Sequence, residues 1–148
     1  MSGVALILGA TSDIARACAH RYGAEGYTLQ LAGRDPEALE ADAQDLRLRH
    51  RVKVSVHRFD VLEADGFAPF LDALPALPDT AICAVGFMGS QGASEKDPQA
   101  AALVMRSNYE GPALILGLLA ERMALRGHGV LIGISSVAGD RGRASNYI

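Results

Sequence analysis

Five short apolar segments alternate along the chain with longer segments in which apolar and polar residues recur at helical spacing. Continuous apolar runs of this length are typical of strands that are buried on both faces of a parallel sheet. Right-handed connections through helices then favour a doubly wound α/β fold with strand order 3-2-1-4-5 and helices on both faces. The predicted strands cover residues 4–8, 27–32, 52–59, 80–85 and 129–134.

Helix start and stop signals lie between the predicted strands. Asp35 precedes Pro36, which combines an N-cap side chain with a proline at the first helical position. Pro75 and Pro78 end an amphipathic segment. Loops are expected over 87–97 and 135–148. Helices are predicted from Asp13, from Pro36, over 63–74 and from Pro98 to about Arg126.

Composition places the chain among globular proteins. Its 148 residues are 49% hydrophobic and carry a formal net charge of −3, so a broad affinity for nucleic acid is not expected. The basic run 47–51 is predicted to be the solvated end of a helix. The longest apolar stretch, 112–120, is shorter than the ~20 residues of a membrane span, and the first apolar run lacks the basic leader of a signal peptide.

Cysteine and histidine positions argue against disulfides and metals. Cys18 and Cys83 are far apart and form no Cys-x-x-Cys pattern, which favours a reducing compartment. The histidines at 20, 50, 57 and 128 show no metal-ligand spacing, so no metal site is expected. These features together predict a cytoplasmic protein.

The most informative segment is the turn that follows the first apolar run. Residues 9–12 read Gly-Ala-Thr-Ser and precede a predicted helix. A strand, a tight turn and a helix N-terminus present free backbone N–H groups and the positive end of a helix dipole at one point, which suits a diphosphate. The residues predicted to hold a nucleotide cofactor here are Gly9, Thr11, Ser12, Asp13 and Ile14.

Motifs at the ends of the strands resemble those of the short-chain dehydrogenase/reductase family. The turn over residues 8–15 keeps only the first glycine of the family's Thr-Gly-x-x-x-Gly-x-Gly, with Asp13 and Ala15 at the later glycine positions. Asp60-Val61 resembles the family pair at the adenine ring, although an aspartate after a strand is also a common turn residue. Residues 83–86 stand where the family often has Asn-Asn-Ala-Gly. The resemblance implies one Rossmann-like NAD(P)-binding domain over residues 1–148, whose further cofactor contacts are Asp60, Val61, Ala84, Val85 and Gly86.

The same resemblance assigns two residues to catalysis. Asn108, in the string Ser-Asn-Tyr-Glu-Gly, is similar to the helix asparagine that holds a water in the family's proton relay. A helix kink or a core hydrogen bond is the local alternative for Asn108. Ser136, in Ile-Ser-Ser-Val-Ala-Gly, resembles the serine that hydrogen-bonds the substrate carbonyl. The implied reaction is hydride transfer between a nicotinamide cofactor and a secondary alcohol or ketone.

The family's general acid/base, a tyrosine followed four residues later by a lysine, has no match in this chain. Tyr147 lies closer to Ser136 than the family spacing requires. Two explanations stay open: the chain is an N-terminal portion of a longer enzyme and is itself inactive, or the fold serves as a non-catalytic NADP-binding regulatory or sensor module. A Tyr-x-x-x-Lys in the reading frame after Ile148 would favour the enzyme, and a stop codon would favour the module.

The end of the second strand bears on the choice of cofactor. NAD-selective folds place an acid about 20 residues after the glycine turn to hold the ribose 2′-hydroxyl, whereas that position looks like Gly33, followed by Arg34. An arginine can bind a 2′-phosphate through two hydrogen bonds, so NADP is predicted over NAD. The alternatives are Asp35 as a ribose ligand, although Pro36 makes it look like a cap, and Arg34 as surface charge.

The helix between Leu114 and Leu119 is apolar on nearly every side. A monomer rarely leaves such a surface exposed to water. The resemblance implies a homodimer or homotetramer in which this helix packs on its counterpart. Burial under C-terminal strands that this chain lacks is the alternative, and without those strands the fifth strand is expected to be a sheet edge.

Overall fold

The computed structural model describes residues 3–145 and 148, in which strands and helices alternate. The strands are β1 (Val4–Leu8), β2 (Thr28–Gly33), β3 (Val54–Arg58), β4 (Thr80–Cys83) and β5 (Val130–Gly133). The α-helices are α1 (Asp13–Ala24), α2 (Pro36–His50), α3 (Phe67–Asp72), α4 (Gln91–Ser94), α5 (Pro98–Met105) and α6 (Gly111–Arg126). A π-helical turn covers Arg106–Glu110, and 3-10 turns cover Ala64–Gly66 and Val137–Gly139.

The five strands form one parallel sheet in the order β3-β2-β1-β4-β5, which confirms the predicted topology. β1 lies at the centre, where Leu6 is opposite Gln30 on one side and Ala81 on the other. The chain crosses from β1 in one direction to β2 and later in the other direction to β4. Such a reversal opens a crevice at the carboxyl ends of the two central strands, β1 and β4.

Side chains of β1 alternate between two apolar layers. Ala5 and Ile7 pack with residues of α1 and α2, whereas Leu6 and Leu8 pack with residues of α3 and α6. All four side chains are fully buried. The sheet therefore carries helices on both faces, which explains why its central strand has no polar position.

The predicted helix over 63–74 is shorter than expected. α3 begins only at Phe67, after a 3-10 turn, and ends at Asp72. Pro69 explains the late start, because a proline is tolerated in the first turn of a helix but breaks its interior. Glu63, at the predicted start, instead forms an ion pair with Arg58.

The long helical region predicted from Pro98 to about Arg126 is divided by the π-helical turn into α5 and α6. The predicted loop over 87–97 also contains the four-residue helix α4. Both differences arise in segments whose helical pattern is interrupted by glycine or by asparagine, residues that favour local irregularity.

β5 and part of α6 face outward. β5 is an exposed edge strand, as expected, with Val130 53% exposed. On α6, Ile115 and Leu119 are fully buried, whereas Leu114 is 47% exposed. Across the residues that the structure describes, no helix is long and apolar enough to span a membrane, and no cluster of three side chains could ligate a metal.

Candidate functional site

The turn after β1 packs directly on the end of β4. Gly9 has a φ of 77°, a left-handed conformation that glycine adopts without a steric penalty. A Cβ atom at Gly9 would lie 2.9 Å from the backbone nitrogen of Val85 and 3.0 Å from the carbonyl oxygen of Ala84. Three of the sequence-predicted residues therefore meet at the crevice between the central strands.

The same turn is fastened to the neighbouring strand on its other side. The backbone N–H groups of Gly9 and Ala10 both donate to the carbonyl oxygen of Ala32, each at 3.0 Å. The ends of β1, β2 and β4 are consequently held in a fixed relation around the turn. This rigidity suits a site whose ligand is bound by backbone atoms.

The start of α1 is open to solvent. Ser12 caps the helix, because its Oγ accepts a hydrogen bond of 3.2 Å from the backbone N–H of Ala15. Thr11 is exposed, and Ile14 is 54% exposed. The first turn of the helix therefore reaches solvent beside the crevice, with its dipole positive at that end.

The negative charge of Asp13 is offset within its own helix. Asp13 is exposed, and its Oδ1 lies 3.6 Å from Nη1 of Arg16. Arg16 also donates from Nε to Asp42 at 2.9 Å, and the Asp42 carboxylate raises the pKa of its guanidinium. A carboxylate with a cation one turn away repels an incoming anion less than an isolated one would.

A pocket of about 140 Å³ opens at the carboxyl ends of β2, β3 and β4. It combines apolar side chains and backbone with a few polar groups, as small-ligand sites commonly do. It brings together the sequence-predicted residues Arg34, Asp60, Val61, Val85 and Gly86. Its other walls are Phe59, Leu62, Phe87, Leu103 and Ser107.

The loop after β3 forms one side of this pocket. Asp60 Oδ1 accepts a hydrogen bond of 3.0 Å from the backbone N–H of Leu62, which fixes a tight turn. Phe59 is buried and stacks on Phe67, with ring centroids 5.4 Å apart. The backbone of Val61 abuts Gly111 so closely that a Cβ on that glycine would collide with it.

An ion pair closes the same loop at its two ends. Arg58 donates from both terminal nitrogens to the two carboxylate oxygens of Glu63, each at 2.7 Å. The guanidinium holds the pKa of Glu63 below its ordinary value, and the carboxylate raises the pKa of Arg58. The loop over 59–62 is thus bracketed by a bidentate pair.

At Gly33, the last residue of β2, the structure has room for only a small residue. A Cβ on Gly33 would lie 3.2 Å from Cδ1 of Leu39, which is tighter than most Cβ contacts. Arg34, the next residue, is exposed at the rim of the pocket. Asp35 caps α2, because its Oδ1 accepts from the backbone N–H groups of Glu37 and Ala38 at 3.1 and 3.4 Å.

Asn108 lies in the π-helical turn and uses both ends of its side-chain amide. Its Oδ1 accepts from the backbone N–H of Phe87 at 2.9 Å, and its Nδ2 donates to the carbonyl oxygen of Phe87 and, at 2.9 Å, to that of Val104. The side chain therefore pins the segment that leaves β4 to the helical layer.

Ser136 follows β5 at the same edge of the sheet. It precedes the 3-10 turn Val137–Gly139, and its Oγ accepts from the backbone N–H of Ala138 at 3.2 Å. Its neighbour Ser135 lines a groove that also includes Asn108 and Cys83, a residue whose thiol pKa is raised by burial. Tyr147 lies outside the described residues.

Sequence reasoning missed several positions that shape the site. Neither the Arg58–Glu63 pair nor the contact of Gly111 with Val61 follows from spacing in the chain, since each joins two elements. The bond between Asn108 and Phe87 spans 21 residues. The string Asn-Tyr-Glu-Gly-Pro, a poor helical sequence inside a helical region, was the signal available for the π-helical turn.

These features define a protein of the Rossmann-like α/β class with a backbone-lined crevice at the switch point of its sheet. A family model described as short chain dehydrogenase matches residues 3–148. The chain belongs to the short-chain dehydrogenase family.

Relatives and solved structures agree with this assignment. An uncharacterized oxidoreductase of Mycobacterium tuberculosis is 33% identical over 146 residues, which are 97% of this chain and 58% of that protein. Dehydrogenase/reductase SDR family member 7B of Bos taurus is 30% identical over 146 residues, 93% of this chain and 45% of that protein. The chain thus spans about half the length of these relatives.

Solved structures show the same fold. An actinorhodin polyketide ketoreductase with NADPH superposes with a TM-score of 0.85 at 26% identity, over 98% of this chain and 57% of that one. A Comamonas testosteroni alcohol dehydrogenase specific for bulky-bulky ketones superposes with a TM-score of 0.86 at 25% identity, over 97% of this chain and 59% of that one.

Proposed function

We propose that this chain supplies the cofactor-binding part of an NADP-dependent oxidoreductase acting on a secondary alcohol or ketone. The observation that carries the proposal is the close approach of Gly9 to Ala84 and Val85 at the switch point of the sheet. Family membership supports the reaction class. When bound, a nicotinamide cofactor supplies the carbon that accepts or donates the hydride.

The crevice has the features that a dinucleotide needs. Thr11, Asp13 and Ile14, at the glycine turn and the start of α1, would offer backbone N–H groups to the diphosphate. Gly9 and Ser12 would shape the turn around it, since their own N–H groups donate to the carbonyl oxygens of Ala32 and Gly9. Asp60 and Val61 would contact the adenine in the pocket over the β3 loop. Ala84, Val85 and Gly86 would let the backbone approach the cofactor closely, because their side chains are small or absent.

The end of β2 supports NADP over NAD. An acidic side chain at Gly33, the position used to hold a ribose 2′-hydroxyl, would crowd Leu39. Arg34 instead offers a guanidinium at the rim of the pocket, which suits a 2′-phosphate. Asp35 is engaged as a helix cap, which weakens the alternative that it binds the ribose.

Arg34→Gln tests this preference. A charge-assisted hydrogen bond is worth about 1.5–3 kcal/mol, so the variant should bind NADPH roughly tenfold or more weakly while its affinity for NADH stays unchanged. Titration by NADPH and NADH fluorescence measures both. Arg21→Gln is the control, because Arg21 pairs with Glu25 at the far end of α1. Equal losses for both nucleotides, or no binding of either by the parent protein, would contradict the proposal.

In this proposal Ser136 donates its hydroxyl hydrogen to the substrate carbonyl. Its Oγ accepts a backbone N–H from Ala138, which orients the hydroxyl without using its own hydrogen. Asn108 takes part in the proton relay through the backbone of the π-helical turn, because its side-chain amide is already bound to Phe87 and Val104.

The second candidate is a non-catalytic NADP-binding sensor. It is favoured by one feature of the site: the side-chain amide of Asn108, a predicted catalytic residue, is engaged by the backbone of Phe87 and Val104. Single-turnover mixing with NADPH and a panel of ketones separates the two candidates. Tight NADPH binding without oxidation in the whole protein would favour the sensor, and oxidation of the nucleotide would favour the enzyme.

The proposed setting is cytoplasmic, and the proposed assembly is a homodimer or homotetramer formed through the exposed side of α6. Leu114 is exposed although Ile115 and Leu119 on the same helix are buried, which supports this assembly.

A further inference from the structure

The ion pair across the loop after β3 lies beside the end of β2. Arg58 is the register partner of Gly33 in the sheet, and neighbouring strands are about 4.8 Å apart. The backbone N–H of Phe59 donates to the carbonyl oxygen of Gly33 at 2.8 Å, which fixes that neighbourhood. The backbone of Arg58 thus lies next to Gly33, the residue that precedes Arg34 in the chain.

The guanidinium of Arg58 is held by Glu63 but keeps N–H groups that this ion pair does not use. Its two hydrogen bonds to Glu63 use two of the five N–H donors of an arginine, and its side chain is 58% exposed. Glu63 is similarly accessible, with 52% of its side chain exposed. A pair in contact with water exchanges partners at little cost.

We propose that Arg58 is a second specificity-determining cation for the 2′-phosphate of NADP, held in place by Glu63 until the phosphate competes for it. This inference rests on the proposed NADP-dependent function. A phosphate monoester carries roughly −1.5 to −2 charges at neutral pH, against −1 for a carboxylate, and matches the same forked donors. Glu63 therefore orients Arg58 but opposes binding of the phosphate.

Two further acidic groups, Asp60 and Asp35, lie near the ends of β3 and β2 and accept hydrogen bonds from the backbone. Asp60, which also raises the pKa of Arg58, accepts from the N–H of Leu62, and Asp35 accepts from the first turn of α2. Each carboxylate is partly neutralised by those N–H dipoles. Arg34 and Arg58 are then cations at the ends of β2 and β3 that could meet an anion together.

Two variants with opposite expected effects test the inference. Arg58→Gln should weaken NADPH binding about tenfold while leaving the affinity for NADH unchanged, because only the phosphate contact is lost. Glu63→Gln should tighten NADPH binding about two- to fivefold, because the competing partner of an exposed pair is removed. Both are measured by equilibrium fluorescence titration on the purified protein.

The matched control is Arg49→Gln, which breaks an arginine–aspartate pair of similar geometry near the C-terminal end of α2, away from the pocket. It should leave both affinities unchanged. Should Arg58→Gln fail to fold, Glu63→Gln decides alone: tighter NADPH binding supports the inference, and unchanged or weaker binding overturns it.

Failure of this inference differs from failure of the proposed function. Equal loss of NADPH and NADH affinity in Arg58→Gln would show that the pair merely braces the loop, and would overturn the inference. If Arg34→Gln in that case still lowers the affinity for NADPH and not that for NADH, the NADP-dependent function stands. If neither arginine affects NADPH selectively, both proposals fall.

Discussion

At Gly9 two constraints act on one residue. Its φ of 77° is costly for any residue with a Cβ, and the Cβ would also meet the backbone at the end of β4. Backbone atoms cannot move aside as a flexible side chain can, so the turn and β4 are fixed together. A substitution here changes the crevice itself and not only the turn.

Gly9→Ala should therefore lower the free energy of unfolding by about 1–3 kcal/mol and abolish detectable NADPH binding. Urea unfolding followed by circular dichroism gives the first quantity, and fluorescence titration gives the second. Gly92→Ala is the control: a Cβ there meets nothing within 4 Å, so stability should hold or rise slightly. A Gly9→Ala protein with parental stability would show that the turn has another conformation.

At the scale of elements, the π-helical turn joins three parts of the chain. Asn108 connects the end of α5, at Val104, with the segment after β4, at Phe87. Gly111 begins α6 directly against the backbone of Val61 in the β3 loop. The break between α5 and α6 thus lets one helical region touch two loops of the proposed cofactor site.

Asn108→Asp tests this junction. The new carboxylate can still accept from the N–H of Phe87, but it would turn an oxygen toward the carbonyl groups of Phe87 and Val104. We expect unfolding free energy to fall by about 2–3 kcal/mol and the amide of Phe87 to exchange faster. Denaturant unfolding and hydrogen exchange measure these effects. Gln99→Glu, at the exposed first turn of α5, adds the same charge and should cause no loss; equal stability of both variants would refute the expected role.

At the scale of the whole molecule, the two edges of the sheet, β3 and β5, differ in what covers them. β3 closes one side, where His57 and Phe59, the residue after the strand, pack against Phe67 and Phe70 of α3. β5 closes the other side with exposed apolar residues, and α6 next to it exposes Leu114. β5 and α6 thus both present apolar side chains to solvent.

Leu114→Glu tests the proposed assembly through this side. A buried charge at a subunit contact is costly, so a dimer or tetramer should dissociate toward monomer in the variant. Size-exclusion chromatography with light scattering gives the mass directly. Leu48→Glu makes the same change at a leucine that is 82% exposed on α2 and should leave the mass unchanged. A parent protein that is already monomeric would refute the assembly.

Part of the proposed site was accessible from the sequence because it depends on local order in the chain. Gly9 follows an apolar run and precedes a helix cap, so its place at the carboxyl edge follows from topology alone. Arg34 follows the next strand in the same way. The partners of Asn108 and Arg58 were not accessible, because Phe87 and Glu63 are selected by how the loops fold over the sheet.

The periodic placement of apolar residues by itself determined the strands, their order and the edge of the sheet at which the candidate site lies. These follow from burial of apolar surface and from the handedness of the connections, which need no knowledge of exact distances. Only the tertiary structure decided the break between α5 and α6, the contact of Gly111 with Val61 and the pairing of Arg58. Each of these depends on atoms that are distant or differently oriented in the chain and meet only once the layers have packed.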